Sequence, residues 1–163
     1  MSEYELHVDV VDRSGAAASF GPVMLNISAG PQTIERSREA HRLTQNLAER
    51  FGKIGSFSIV EPGAMTAQPA HQRSEISALL LSSPLVALAL VLEGGGVRPA
   101  AARAMVAGYF ALKRPYAVKV VSEVSPGLAW LVDELRRHGV KDLDAISLQR
   151  AIGLLRARVR EGH

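Results

Sequence analysis

The chain has 163 residues, 47% of them hydrophobic and 21% charged, with a formal net charge of +3. That length and apolar content suit one core rather than two, so residues 1–163 are expected to form a single domain. The absence of cysteine excludes disulfides, a thiol nucleophile and thiolate metal sites, which leaves His, Asp and Glu as the ligand types.

The first fifteen residues, MSEYELHVDVVDRSG, mix acids with apolar residues and lack the basic start and apolar block of a signal peptide, so a cytoplasmic location is expected. Glu5–Val11 and Val23–Ile27 alternate like half-buried strands and are expected to form an antiparallel pair, with RSGAAASFGP between them supplying turn residues. A helix follows from Gln32 to Phe51. Ile34, His41, Leu47, Ala48 and Phe51 fall near one face of it, and Gly52 ends it. GSFSIVEPG reads as a strand stopped by Pro62 and Gly63. TAQPAHQRSEISALLLSS reads as a polar loop leading into a helix from about Pro69.

The run LVALALVLE, Leu85–Glu93, is apolar without alternation, the pattern of a strand buried on both faces in the middle of a sheet. The longer apolar stretch Leu79–Leu92 is interrupted by Ser82, Ser83 and Pro84 and falls short of the roughly 20 residues of a spanning helix. A helix from about Pro99 to Lys113 comes next, then the strand YAVKVVSEV. The helix SPGLAWLVDELRRHG follows, with Ser125 as N-cap, Pro126 as first helical residue and Gly139 as stop. A last helix, about Leu143–Arg160, sets Leu143, Ile146, Ile152 and Leu155 against an arginine-rich surface. This succession predicts an α/β sandwich, a mixed sheet of about five strands packed with about five helices.

From Leu85 to Val140 the order is buried strand, acid and glycine loop, small-residue helix, strand, then a helix carrying Ala129, Trp130 and Leu131 and ending in RRHGV. That order resembles the STAS domain superfamily, particularly its SpoIIAA-like branch, over roughly the last two thirds of the chain. The resemblance implies a STAS-like fold and a non-enzymatic regulatory or scaffold module that binds proteins, nucleotides or lipid-like molecules. Anti-sigma-antagonist members carry a phosphorylatable hydroxyl where this chain has Gly95, Gly96, Val97 and Arg98, so no phosphorylation switch is expected there.

Glycines opening a helix bind phosphate through free N–H groups and the helix dipole. In EGGGVRP, however, Pro99 removes one N–H, Glu93 adds a negative charge, and no Lys precedes a Ser or Thr. A tight turn is the expectation for Gly94, Gly95 and Gly96. Glu61 and Glu93 each follow an apolar strand. If those strands are parallel neighbours, both carboxylates lie at the sheet edge where α/β folds place ligands. Two alternatives stand: a small polar pocket completed by His71, Arg73 and Arg98, even a metal held by the acids and His71, or salt bridges from Glu61 and Glu93 to Arg73 and Arg98. The preferred alternative is the salt bridges, and no metal or cofactor is expected. The serines show neither G-x-S-x-G nor S-x-x-K, His41 on its amphipathic helix reads as a boundary residue rather than a base, and His7, His138 and His163 have no acid at a useful fixed spacing, so no catalytic residue is assigned.

In RPAAARAMVAGYFALK small or apolar residues occupy most of the helix circumference, and Ala104 and Gly108 permit close backbone approach. Ala104, Gly108, Phe110 and Leu112 are candidates for a homomeric contact, and the alternative is one helix fully covered within a monomer. Arg136, Arg137, Arg150, Arg156, Arg158 and Arg160 lie late in the chain without stacking aromatics, which make up 5% of it. They read as a solvated helix surface rather than a nucleic-acid site. The functional expectation is therefore protein association, self-association included. Its alternative is a sensor of a nucleotide, lipid-like molecule or anion at the sheet edge near Glu61, Glu93 and Arg98.

Overall fold

A computed structural model describes residues 3–65 and 69–163. Met1, Ser2 and the loop residues Thr66, Ala67 and Gln68 lie outside the described residues. The elements are β1 (Leu6–Asp12), β2 (Gly15–Phe20), β3 (Val23–Ser28), α1 (Ile34–Phe51), β4 (Gly55–Val60), a 3-10 turn (Pro62–Ala64), α2 (Ala70–Leu81), β5 (Ala87–Leu92), α3 (Val97–Lys113), β6 (Ala117–Val121), α4 (Val124–Arg137) and α5 (Ala145–Glu161). The protein is α/β: one mixed sheet in the order β1-β2-β3-β4-β5-β6, with five α-helices.

The sheet has one strand more than the sequence suggests. GAAASF, read as turn residues, is β2, and it stands between β1 and β3, antiparallel to both. The expected direct pairing of Glu5–Val11 with Val23–Ile27 is thereby overturned. Alanines lack the β-branched signal of a strand, yet here their size is what serves: Ala16 and Ala18 are buried in the cluster that also holds Leu148, Ala151, Ile152 and Leu155 of α5. From β3 onward every neighbour is parallel, with α1, α2 and α3 in the crossovers.

Two apolar clusters lie on opposite faces of the sheet. Leu25, Ile27, Phe57, Ile59, Ala89 and Val91 point toward α4 and α5, meeting Leu128, Leu131, Leu135, Leu148 and Leu155. Met24, Leu88 and Leu90 point the other way, toward Leu47, Leu80 and Phe110. The run Ala87–Leu92 is thus buried on both faces, as its lack of alternation requires.

Every helix start differs from expectation by one or two residues, α1 opening at Ile34, α2 at Ala70 and α3 at Val97 rather than at Gln32, Pro69 and Pro99. α4 begins at Val124 with Glu123 as its cap residue, so Ser125 and Pro126 both sit in the first turn, where a proline sacrifices no intrahelical bond. α5 starts at Ala145 on an Asp144 cap whose carboxylate accepts from the Ser147 N–H at 2.7 Å and the Ser147 hydroxyl at 2.8 Å. α5 docks on this chain's own β1, β2 and α4. It buries Leu148, Ala151, Ile152, Leu155 and Val159, whereas Ile146, expected inward, is exposed.

Candidate functional site

The carboxyl edge of the sheet is set by register. Val60 of β4 and Leu92 of β5 are parallel Cα partners, so Glu61 and Glu93 leave the sheet side by side. Their backbones stay in the ladder, with Glu93 N–H donating to Val60 O at 3.0 Å and Glu61 N–H to Ser28 O at 2.9 Å. The partner of the two carboxylates is Arg156 of α5. Its Nη1 donates to Glu93 Oε2 at 3.0 Å, its Nη2 to Glu93 Oε1 at 2.5 Å, and Nη2 lies 3.8 Å from Glu61 Oε1. By accepting these hydrogen bonds, Glu93 holds the guanidinium above the ordinary arginine value.

The sequence-based pairing of Glu61 and Glu93 with Arg73 and Arg98 is therefore replaced by one shared arginine, 63 positions beyond Glu93. Arg73 and His71 lie exposed on α2 and Arg98 exposed on α3, and among the described residues their side chains form no ion pair or hydrogen bond. His71 does not join the two acids: among the described residues no group of three or more His, Asp or Glu is placed to hold a metal ion.

The three glycines pass the chain from β5 to α3 within a few residues. Gly94 has φ 119° and Gly96 φ 98°, conformations that other residues rarely adopt. A Cβ on Gly94 would lie 3.2 Å from Pro99 Cγ. On the inner side Arg103 donates through Nη1 to Leu92 O at 3.0 Å and Gly94 O at 3.1 Å, so the loop turns carbonyls toward its own arginine. Gly95, Gly96, Val97 and Arg98 are exposed.

α3 packs mainly on β5 and β6, and among the described residues no helix or strand covers its outer surface. Val97, Met105 and Leu112 are 86%, 74% and 80% exposed. Ala100, Ala101, Ala104, Ala107, Gly108 and Ala111 fill the surface between them. Of the four residues singled out for a contact, Ala104, Gly108 and Leu112 are exposed here. Phe110 points inward instead, buried with Tyr109 and Tyr116 beside it, because it falls on the opposite side of the helix from Gly108.

A further feature escaped sequence reasoning. A cavity of about 270 Å³ lies between the sheet and the pair α1–α2, lined by Asn26 and Ser28 of β3, Ser56 and Ser58 of β4, and Thr44 and His41 of α1. Its signal was present in VMLNIS and GSFSIV, whose polar alternation suits half-exposed strands, but only the sheet order reveals β3 and β4 as interior strands covered on both faces.

No protein-family model matches the chain, and no curated protein matches it in sequence.

Proposed function

We propose that this chain is a non-enzymatic, cytoplasmic STAS-like regulatory or scaffold module that acts by protein association, self-association included, through the outer face of α3. The observation that carries the reading is the composition of that face: from Val97 to Leu112 its centre holds no charged residue, although it faces solvent. Contiguous exposed apolar surface of this kind marks interaction sites. Small residues at Ala100, Ala104 and Gly108 leave a shallow groove, and Met105 and Leu112 flank it. One copy's large side chains fit the groove of another. The order β5, glycine loop, α3, β6, α4 with Ala129, Trp130 and Leu131 on α4 supports the STAS-like resemblance.

The strength of self-pairing follows from area and charge. A 17-residue helix is about 25 Å long, so one face of it supplies well under the roughly 800 Å² per partner of a standard interface. The ends of the face are basic, with Arg98 at one and Lys113 at the other, and an antiparallel pair sets Arg98 beside Lys113 of the second copy. Self-association is therefore weak and strengthens as salt screens the repulsion. The edge strand β6 contributes little, since the exposed Lys119 at its centre opposes pairing with an identical edge.

Sedimentation velocity over a concentration series at low and high salt tests this reading. A reversible rise in mass at high protein concentration, larger in high salt and lost in Met105→Glu, is expected. A strict monomer under every condition removes the proposal. The alternative of a sensor at the sheet edge is less well supported, because both oxygens of Glu93 are already bonded to Arg156.

A further inference from the structure

The two faces of the sheet differ in chemistry where β3 and β4 run side by side. Toward α4 and α5 these strands present Leu25, Ile27, Phe57 and Ile59. Toward α1 and α2 they present Asn26, Ser28, Ser56 and Ser58, with Asn26 and Ser58 as direct register partners. Helices stand over both faces, so the second is a half-buried polar floor, with Ser56 buried and Asn26, Ser28 and Ser58 partly exposed, where packing alone favours aliphatic residues.

The helix above the floor is matched to it. The N-terminal half of α1 turns Ser37, His41 and Thr44 toward the sheet, and its C-terminal half turns Leu47, Ala48 and Phe51. The polar half of the helix thus stands over the polar half of the sheet, across the cavity of about 270 Å³. The opposing groups mostly bond within their own layer. On the floor Asn26 Nδ2 reaches Ser56 Oγ at 3.4 Å and Ser56 Oγ reaches Ser58 Oγ at 3.5 Å, both at the long limit of a hydrogen bond. On the roof Thr44 donates to Ala40 O of its own helix at 2.7 Å, and His41 Nδ1 meets Ser83 Oγ at 3.3 Å. Among the described residues a hydrogen-bonded chain crosses the gap at one end, Ser28 donating to Gln32 at 3.0 Å and Gln32 to Ser37 at 2.8 Å. The side wall is aliphatic, with Ile76, Leu79 and Leu80 of α2.

From this arrangement we infer that the space between α1–α2 and the β3–β4 floor is a binding site for a small uncharged molecule with an amide or paired-hydroxyl group on a short aliphatic body. The amide or diol bridges Asn26, Ser56 and Ser58, which offer both donors and acceptors, and the aliphatic part lies along Ile76 and Leu79. Charge is selected against. Among the described residues the one Arg, Lys, Asp or Glu lining the cavity is Arg36, whose guanidinium is bound to Asp12 at 3.0 Å, to the Gly15 carbonyl at 3.3 Å and to the Ser14 hydroxyl. Among the described residues a cation there meets no carboxylate, and an anion meets no unpaired guanidinium or ammonium, to offset its desolvation. At about 270 Å³ the cavity lies just below the range of ordinary ligand pockets, which suits a small molecule such as a six-carbon amide or diol. The site is separate from the outer face of α3, so its test is independent of the association proposal.

The test uses hexanamide and 1,2-hexanediol as probes, with hexanoate and hexylammonium as charged controls of similar shape. Amide spectra of the full chain are recorded during titration with each. Saturable shifts are expected at the Asn26 side-chain amide and along β4 with the two neutral probes, and at least tenfold weaker effects with the charged ones. Asn26→Leu with Ser58→Val removes the hydrogen-bonding floor and should weaken hexanamide binding at least tenfold. Ala40→Leu fills the cavity from α1 without touching the floor and should do the same, which keeps the test decisive if the floor variant folds poorly. Absence of saturable shifts in the parent protein overturns the inference. Equal binding of hexanoate and hexanamide overturns it as well, and so do shifts that survive in a folded Ala40→Leu variant.

Discussion

Arg156 of α5 grips both oxygens of Glu93 at the end of β5, at 3.0 and 2.5 Å, and so ties a C-terminal helix on one face of the sheet to the edge of its most buried strand. The two side chains are 22% and 24% exposed, so water screens the pair only in part. Charge-assisted hydrogen bonds in such a setting contribute about 1.5–3 kcal/mol. Arg156→Ala and Glu93→Gln should each lower stability by about 1–3 kcal/mol in urea denaturation, and the double variant should lose less than the sum of the two. Strictly additive losses would show that the pair does not couple α5 to the sheet.

Tyr116 yields a prediction in pH. Its hydroxyl donates to Leu80 O at 2.8 Å, and burial, followed by the nearby Tyr109, pushes its ionisation well above the usual tyrosine range. Because the folded-state value is raised, the associated stability is fully present below the ordinary tyrosine pKa of about 10 and is lost as pH climbs beyond it. Tyrosinate absorbance of the native protein should lag that of the unfolded chain through this range, and Tyr116→Phe should abolish the lag. The same substitution frees the Leu80 carbonyl and should cost about 0.5–1.5 kcal/mol near neutrality.

The start of α5 offers a local test. Asp144 accepts two hydrogen bonds from Ser147 and closes the first turn. Asp144→Ala should lower stability by about 1 kcal/mol, while Asp144→Ser keeps most of it. Thermal melts of the two variants provide the comparison, and equal melting temperatures would assign the cap no role.

On α3, exposure separates association from folding. Met105 projects into solvent, so Met105→Glu should change stability by no more than about 0.5 kcal/mol while removing concentration-dependent association. Phe110 provides the contrast. It is buried, and Phe110→Ala should cost about 3–5 kcal/mol whether or not the protein associates. Denaturation measured at low protein concentration distinguishes the two effects.

Much of the architecture was legible in local pattern. The uniform run Ala87–Leu92 announced a strand covered on both faces, and the helix read from Gln32 to Phe51 is α1, with Gly52 as its stop. β2 was not legible, because GAAASF carries the composition of a turn, and its role depends on how closely α5 approaches the sheet. Side-by-side placement of Glu61 and Glu93 followed from two strand ends, but their partner could not, since Arg156 lies among six late arginines that no local pattern tells apart. Phe110 was misplaced for a similar reason: an almost wholly apolar helix gives periodicity little contrast by which to tell its inner side from its outer one.

What the sequence determined by itself was therefore the kind and order of most elements, for these rest on interactions within a few residues: caps, turn residues, and the periods of helix and strand. What only the tertiary structure decided was which surfaces meet. The strand order made the polar side of β3 and β4 a half-buried floor, the docking of α5 closed the Glu61–Glu93 edge with Arg156, and the packing of α3 on β5 and β6 left one apolar face toward solvent. Such contacts join residues tens of positions apart, and their energies depend on burial and distance, which no local pattern encodes.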